Sequence, residues 1–115
     1  MQEENIKKMA EMADTEIKDV PTLNILLCYL LYEIDKPVEP EQLYDIAIGT
    51  GVVNFLYYQD SVDYLLKNGL VSLVEGKNGV SCYKLEEKGM DCARTLKKYV
   101  SKSHRDKLVL AALRY

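Results

Sequence analysis

The sequence predicts a mostly helical α+β domain carrying one small β-hairpin. Three observations lead there. Apolar residues recur at helical spacing along most of the chain. That period switches to two between residues 70 and 85, around an Asn-Gly pair. The chain has 115 residues, 48% hydrophobic and 29% charged, with 3 Pro and 6 Gly. That suits a single packed domain and argues against disorder or a fibre.

Residues 3 to 18 set Ile6, Met9, Ala10, Ala13 and Ile17 among Glu3, Glu4, Lys7, Lys8 and Glu11. This is the pattern of an amphipathic helix with a narrow apolar stripe. Val20-Pro21-Thr22 reads as a break and restart, with Thr22 as N-cap. Between residues 23 and 34 only Asn24 and Glu33 are polar, which marks the buried central helix. Asp35-Lys36-Pro37 ends it, and Val38 suffices for a very short strand.

Pro40 fits the first turn of the next helix, where its missing N–H costs nothing. There Leu43, Ile46 and Ala47 face inward, and Glu41, Gln42 and Asp45 face water. Gly49-Thr50-Gly51 makes the following turn. Asn54 caps a further helix. Phe55, Tyr58, Gln59, Val62, Leu65 and Leu66 are assigned to its inner face, and Tyr57, Asp60, Ser61, Tyr64 and Lys67 to its outer face. Asn68-Gly69 stops it.

Leu70 to Val74 and Val80 to Leu85 alternate as strands around the turn Gly76 to Gly79. A helix resumes with Met90, Ala93, Leu96, Lys97 and Val100 as its inner stripe. Ser101 or Ser103 caps a last helix ending in Leu108 to Leu113. Three helices followed by a two-stranded hairpin make the winged helix-turn-helix plan, with helices added at both ends. The units are an N-terminal helix (1–20), a winged-helix domain (21–100) and a C-terminal helix (101–115).

The chemistry-bearing residues are sparse. Cys28, Cys82 and Cys92 show no paired spacing, so they read as two buried thiols and one half-buried thiol. His104 lies among charges in SKSHRDK and reads as a surface residue. No glycine-rich phosphate loop is present. No metal, cofactor or catalytic site is expected, and the chain reads as a non-enzyme. No apolar run approaches the roughly 18 residues of a membrane span. The start MQEENIKK lacks the features of a secretory signal. A cytoplasmic setting is expected.

Three stretches carry a resemblance: NILLCYLLYEIDKPVEPEQLYDI, GVVNFLYYQDSVDYLLKNGLV and the hairpin ending YKLEEKGMDCARTL. In order, they make the chain resemble bacterial winged-helix transcription regulators of the PadR-like and MarR-like kind. Residues 23 to 107 more closely resemble a small bacterial winged-helix family catalogued as a domain of unknown function. The resemblance implies binding to double-stranded DNA as a homodimer. It implies that Asn54 to Asn68 is the recognition helix. Asn54, Tyr57, Asp60, Ser61, Tyr64 and Lys67 would then be the DNA contacts of that helix, with Tyr57, Asp60, Ser61 and Tyr64 toward the major groove, and Lys77 and Asn78 would meet the backbone or minor groove. The dimer surface would use Ile6, Met9 and Ala13 with Leu108, Leu110 and Leu113.

Charge divides along the chain. Net charge is -3. Residues 1 to 53 hold 11 acids and 4 bases, net -7, and residues 54 to 115 hold 7 acids and 11 bases, net +4. Arg94, Lys97, Lys98, Lys102, Arg105 and Lys107 supply most of the excess. They read as a solvated face, a phosphate-steering surface or a partner for the acidic N-terminal helix of a second subunit. The recognition helix instead carries Asp60 and Asp63 against Lys67. A winged-helix protein-interaction module is therefore the alternative function, favoured by Tyr44, Tyr57 and Tyr64. A small-molecule effector is a further possibility, with no ligand named by the sequence.

Overall fold

The computed structural model describes residues 16–115. The expected helix over residues 3 to 18 lies largely outside them, as do Ile6, Met9 and Ala13. Its last part is not helical. Glu16 lies in a bend, and Ile17 makes a single parallel bridge to Val53. The Ile17 N–H donates to the Val52 carbonyl at 2.8 Å, and its side chain is buried.

Helix α1 (Val20–Ile34) starts earlier than the sequence suggests. Asp19 is its N-cap and accepts from the Thr22 N–H at 2.7 Å. Pro21 sits in the first turn, where it needs no N–H partner. Leu23, Leu26, Leu27, Cys28 and Leu30 are fully buried, which makes α1 the central helix. Asp35 closes it in the left-handed region at φ 57°.

Helix α2 (Pro40–Gly49) follows, and Gln42 reaches back to accept from the Glu39 N–H at 3.1 Å. The Thr50 hydroxyl then donates to the Ala47 carbonyl and accepts from the Val52 N–H, which shapes the turn into helix α3 (Phe55–Lys67).

Strands β1 (Val71–Glu75) and β2 (Ser81–Leu85) pair antiparallel, with Val71 opposite Leu85 and Glu75 opposite Ser81. Asn78 and Gly79 both take positive φ, 62° and 73°, and the Val80 N–H donates to the Lys77 carbonyl. This is the primed turn that Asn-Gly favours. Val38 bridges Tyr83 on the far side of β2, as its short strand predicts.

Helix α4 (Glu87–Leu96) ends sooner than its apolar stripe implies, in a 3₁₀ turn over Lys97–Tyr99. The change of pitch turns Lys97 out to solvent, and Met90 is 36% exposed. The inner face is Gly89, Cys92, Ala93 and Leu96, and Val100, just past the 3₁₀ turn, is buried as the stripe predicts. Helix α5 (Lys102–Arg114) is capped by Ser101, whose hydroxyl accepts from the His104 N–H at 3.2 Å.

Leu108 is 0% exposed and joins the core built on α1. The C-terminal helix is thus part of the domain, packed on α1 and α2, rather than an appendage. The result is a mostly helical α+β domain of winged-helix-like architecture, with a further helix after the hairpin. No helix among the described residues is long and apolar enough to cross a membrane.

Candidate nucleic-acid interface

The helix in the recognition position, α3, is fixed at both ends. Asn54 Oδ1 accepts from the Leu56 N–H at 2.8 Å. At the other end Asn68 Nδ2 donates to the Tyr64 carbonyl, and Gly69 leaves the helix at φ 74°. Lys88 Nζ donates to the Asn68 carbonyl at 3.0 Å, tying α4 to this end.

Between its ends α3 lies on α1 through Tyr58, Ser61, Val62 and Leu65. Ser61 is 0% exposed, and its hydroxyl donates to Asn24 Oδ1 on α1 at 2.6 Å. Two edge-on aromatic contacts, Tyr44 to Phe55 at 6.2 Å and Tyr44 to Tyr58 at 5.4 Å, join α2 to α3.

This seating corrects the assignment of faces. Ser61 belongs to the buried side, and Tyr57 is half-buried against the core. Phe55 and Gln59, expected inside, are exposed. The outward surface is Leu56, Gln59, Asp60, Asp63, Tyr64 and Lys67, with Leu56 69% exposed. Of the anticipated contacts, Asp60, Tyr64 and Lys67 share this surface. Asn54 spends its side-chain carbonyl on the cap.

Leu56 and Gln59 are absent from the expected contact face, although the sequence holds the signal. Tyr58, Val62 and Leu65 cluster on one side of the helix, and at about 100° per residue Ser61 borders that arc while Leu56 and Asp63 fall well away from it.

The hairpin presents Lys77 and Asn78 at an exposed tip. The Tyr83 pKa lies above the ordinary tyrosine value because of burial and, secondarily, the Asp63 carboxylate. Among the described residues the expected basic run is partly engaged. Arg94 pairs with Asp91 at 2.7 Å and Lys102 with Asp106 at 2.9 Å, both in water. Arg105 Nε donates to the Val100 carbonyl, and its guanidinium lies 5.5 Å from the Tyr29 ring.

The thiols sit where the sequence implies, with Cys28 and Cys82 buried and Cys92 half-buried. Burial pushes the Cys28 and Cys92 pKa values up, which makes both poor nucleophiles. His104 is half-buried rather than fully solvated. The projected dimer residues separate: Leu108 is inside the core, while Leu110 and Leu113 are 51% and 79% exposed.

Comparison with curated proteins and with solved structures returned no match. The sequence pattern of one family matches residues 23–114, from the first buried leucine of α1 to the end of α5. The chain therefore belongs to the family described as Domain of unknown function (DUF4364).

Proposed function

We propose that this module binds double-stranded DNA as a homodimeric transcription regulator, without catalytic activity. The carrying observation is the pairing of an exposed, doubly capped helix in the recognition position with an exposed hairpin tip bearing Lys77 and Asn78. On this reading α3 enters the major groove. Gln59 suits the paired donor and acceptor of adenine, and Asp60 or Asp63 accepts from the cytosine amino group. Lys67 and Lys77 take phosphates, which supply most of the affinity. Two copies read half-sites roughly 34 Å apart.

The test is binding to random duplex across a salt series. Lys77→Glu is expected to weaken binding at every sequence and to reduce the salt slope by about 1. Gln59→Ala is expected to change sequence preference with the slope unchanged. Absence of binding at low salt sinks the proposal.

A specific observation favours a second reading. Leu56 and Phe55 are 69% and 50% exposed beside Asp60 and Asp63. An apolar, acidic helix face suits a protein partner with a basic rim better than a polyanion. Recovery of a stable partner, insensitive to nuclease and lost on Leu56→Asp, would establish it.

A further inference from the structure

Where the end of α1, the end of β2 and the first turns of α4 meet, the described residues surround an open cavity of about 170 Å³. Leu31 and Leu85, both buried, line its inner side. Tyr32, Pro37 and Met90 line its outer side, with Tyr32 37% and Met90 36% exposed. Helical spacing assigns Met90 to the inner stripe of α4, but here it borders the space instead of closing it.

The polar lining is Asp35, Lys36 and Lys84. Asp35 and Lys36 come from the turn that ends α1, and Lys84 comes from β2. All three are exposed, so they stand at the mouth. Among the described residues none of their side chains makes an ion pair or a hydrogen bond. The mouth therefore carries one net positive charge.

Size and charge select the occupant. An engineered cavity of about 150 Å³ lined by apolar side chains takes up benzene, so this space suits a ring or chain of about six carbons. Each buried CH₂ contributes about 0.8 kcal/mol. An anionic head at the mouth meets two ammonium groups against one carboxylate, whereas a cation meets the reverse.

We propose that this cavity binds a small organic monocarboxylate. Its short apolar body lies between Leu31, Leu85 and Met90, and its carboxylate lies between Lys36 and Lys84. One wall belongs to β2 and another to α1, so an occupied cavity ties the hairpin to the helical core. This inference stands apart from the DNA reading, and its test contains no DNA.

The full chain, labelled with methyl-13C methionine, is titrated with hexanoate. The sequence holds 4 Met. The Met90 signal is identified by Met90→Leu, and those of Met1, Met9 and Met12 serve as references. The expected result is a saturating shift of the Met90 signal alone. Lys36→Gln with Lys84→Gln, both at exposed positions, is expected to weaken hexanoate binding roughly fivefold. The same variant should bind hexanol, which has the tail without the charge, as the parent chain does. Asp35→Asn keeps a residue that tolerates left-handed backbone, and it is expected to tighten hexanoate binding. No saturating shift at Met90, or all four signals moving together, overturns the proposal. Equal affinity for hexanoate and hexanol overturns the carboxylate assignment. Weaker binding to Asp35→Asn overturns it too, in favour of a ligand that carries an ammonium group.

Discussion

Asn24 and Ser61 are the buried polar side chains of the described core, and each is the other's hydrogen-bond partner. Ser61→Ala removes the donor and leaves the Asn24 carbonyl unsatisfied, at an expected cost of about 1–3 kcal/mol in urea unfolding. Adding Asn24→Leu should restore part of that loss, and a simple sum of two losses would refute the coupling. Tyr58 is the opposite case. Its hydroxyl is buried without a partner. Burial first, then Tyr83, Tyr44 and Asp45, holds its pKa well above the usual value of 10.0. The unfolded chain ionises this tyrosine near pH 10 and the folded chain does not, so stability is whole below that pH and falls as pH climbs toward the folded value. Cys28, with its pKa also raised, adds a loss of the same sign beginning near its ordinary 9.0. Tyr58→Phe is expected to be neutral or stabilising below pH 9 and to flatten the decline in melting temperature between pH 9 and 11. Equal slopes in both proteins would remove this explanation. Ser61 also marks what the sequence conceals at this scale. A serine reads as surface by composition. Only the positions of Tyr58, Val62 and Leu65 around it reveal that it is inside.

Elements were more legible than faces, because breaks and caps are local chemistry. Asn54, Asn68-Gly69, Pro40 and Asn78-Gly79 all do in the structure what their residue types require. The start of α1 moved because Pro21 was read as a break, whereas a first-turn proline is compatible with a helix. The inner stripe of α4 is right at Ala93, Leu96 and Val100 and fails at Met90 and Lys97 for a different reason. The helix ends at Leu96, so a period continued to Val100 crosses a change of pitch. What seats α4 is Gly89, a position with no apolar signal. A Cβ there would collide with the Leu70 carbonyl and with Leu85 Cδ1. Gly89→Ala is therefore expected to destabilise by about 1–3 kcal/mol despite its better helix propensity. A stabilised variant in thermal unfolding would show that α4 shifts freely on the hairpin.

At the scale of the whole molecule the C-terminal helix changes the domain's boundaries. A division at residue 100 follows the end of the winged-helix plan, but Leu108 crosses it into the α1 core. Leu108→Ala should cost about 2–5 kcal/mol, the range for a fully enclosed leucine. A cost under 1 kcal/mol would mean that α5 is an independent attachment. Long-range contacts of this kind leave little trace in sequence, since Leu108, Leu110 and Leu113 look alike there and differ only in where α5 lies. The hairpin carries a last consequence. β2 is covered on its outer side by Val38, while among the described residues β1 has no strand beyond it. Its free edge spans Val71–Glu75, with Leu73 55% exposed at its centre and Glu75 at its end. Such an edge is a template for another strand. Leu73→Lys, which charges the exposed centre of that edge, is expected to raise the concentration at which the purified protein begins to aggregate, as read by light scattering.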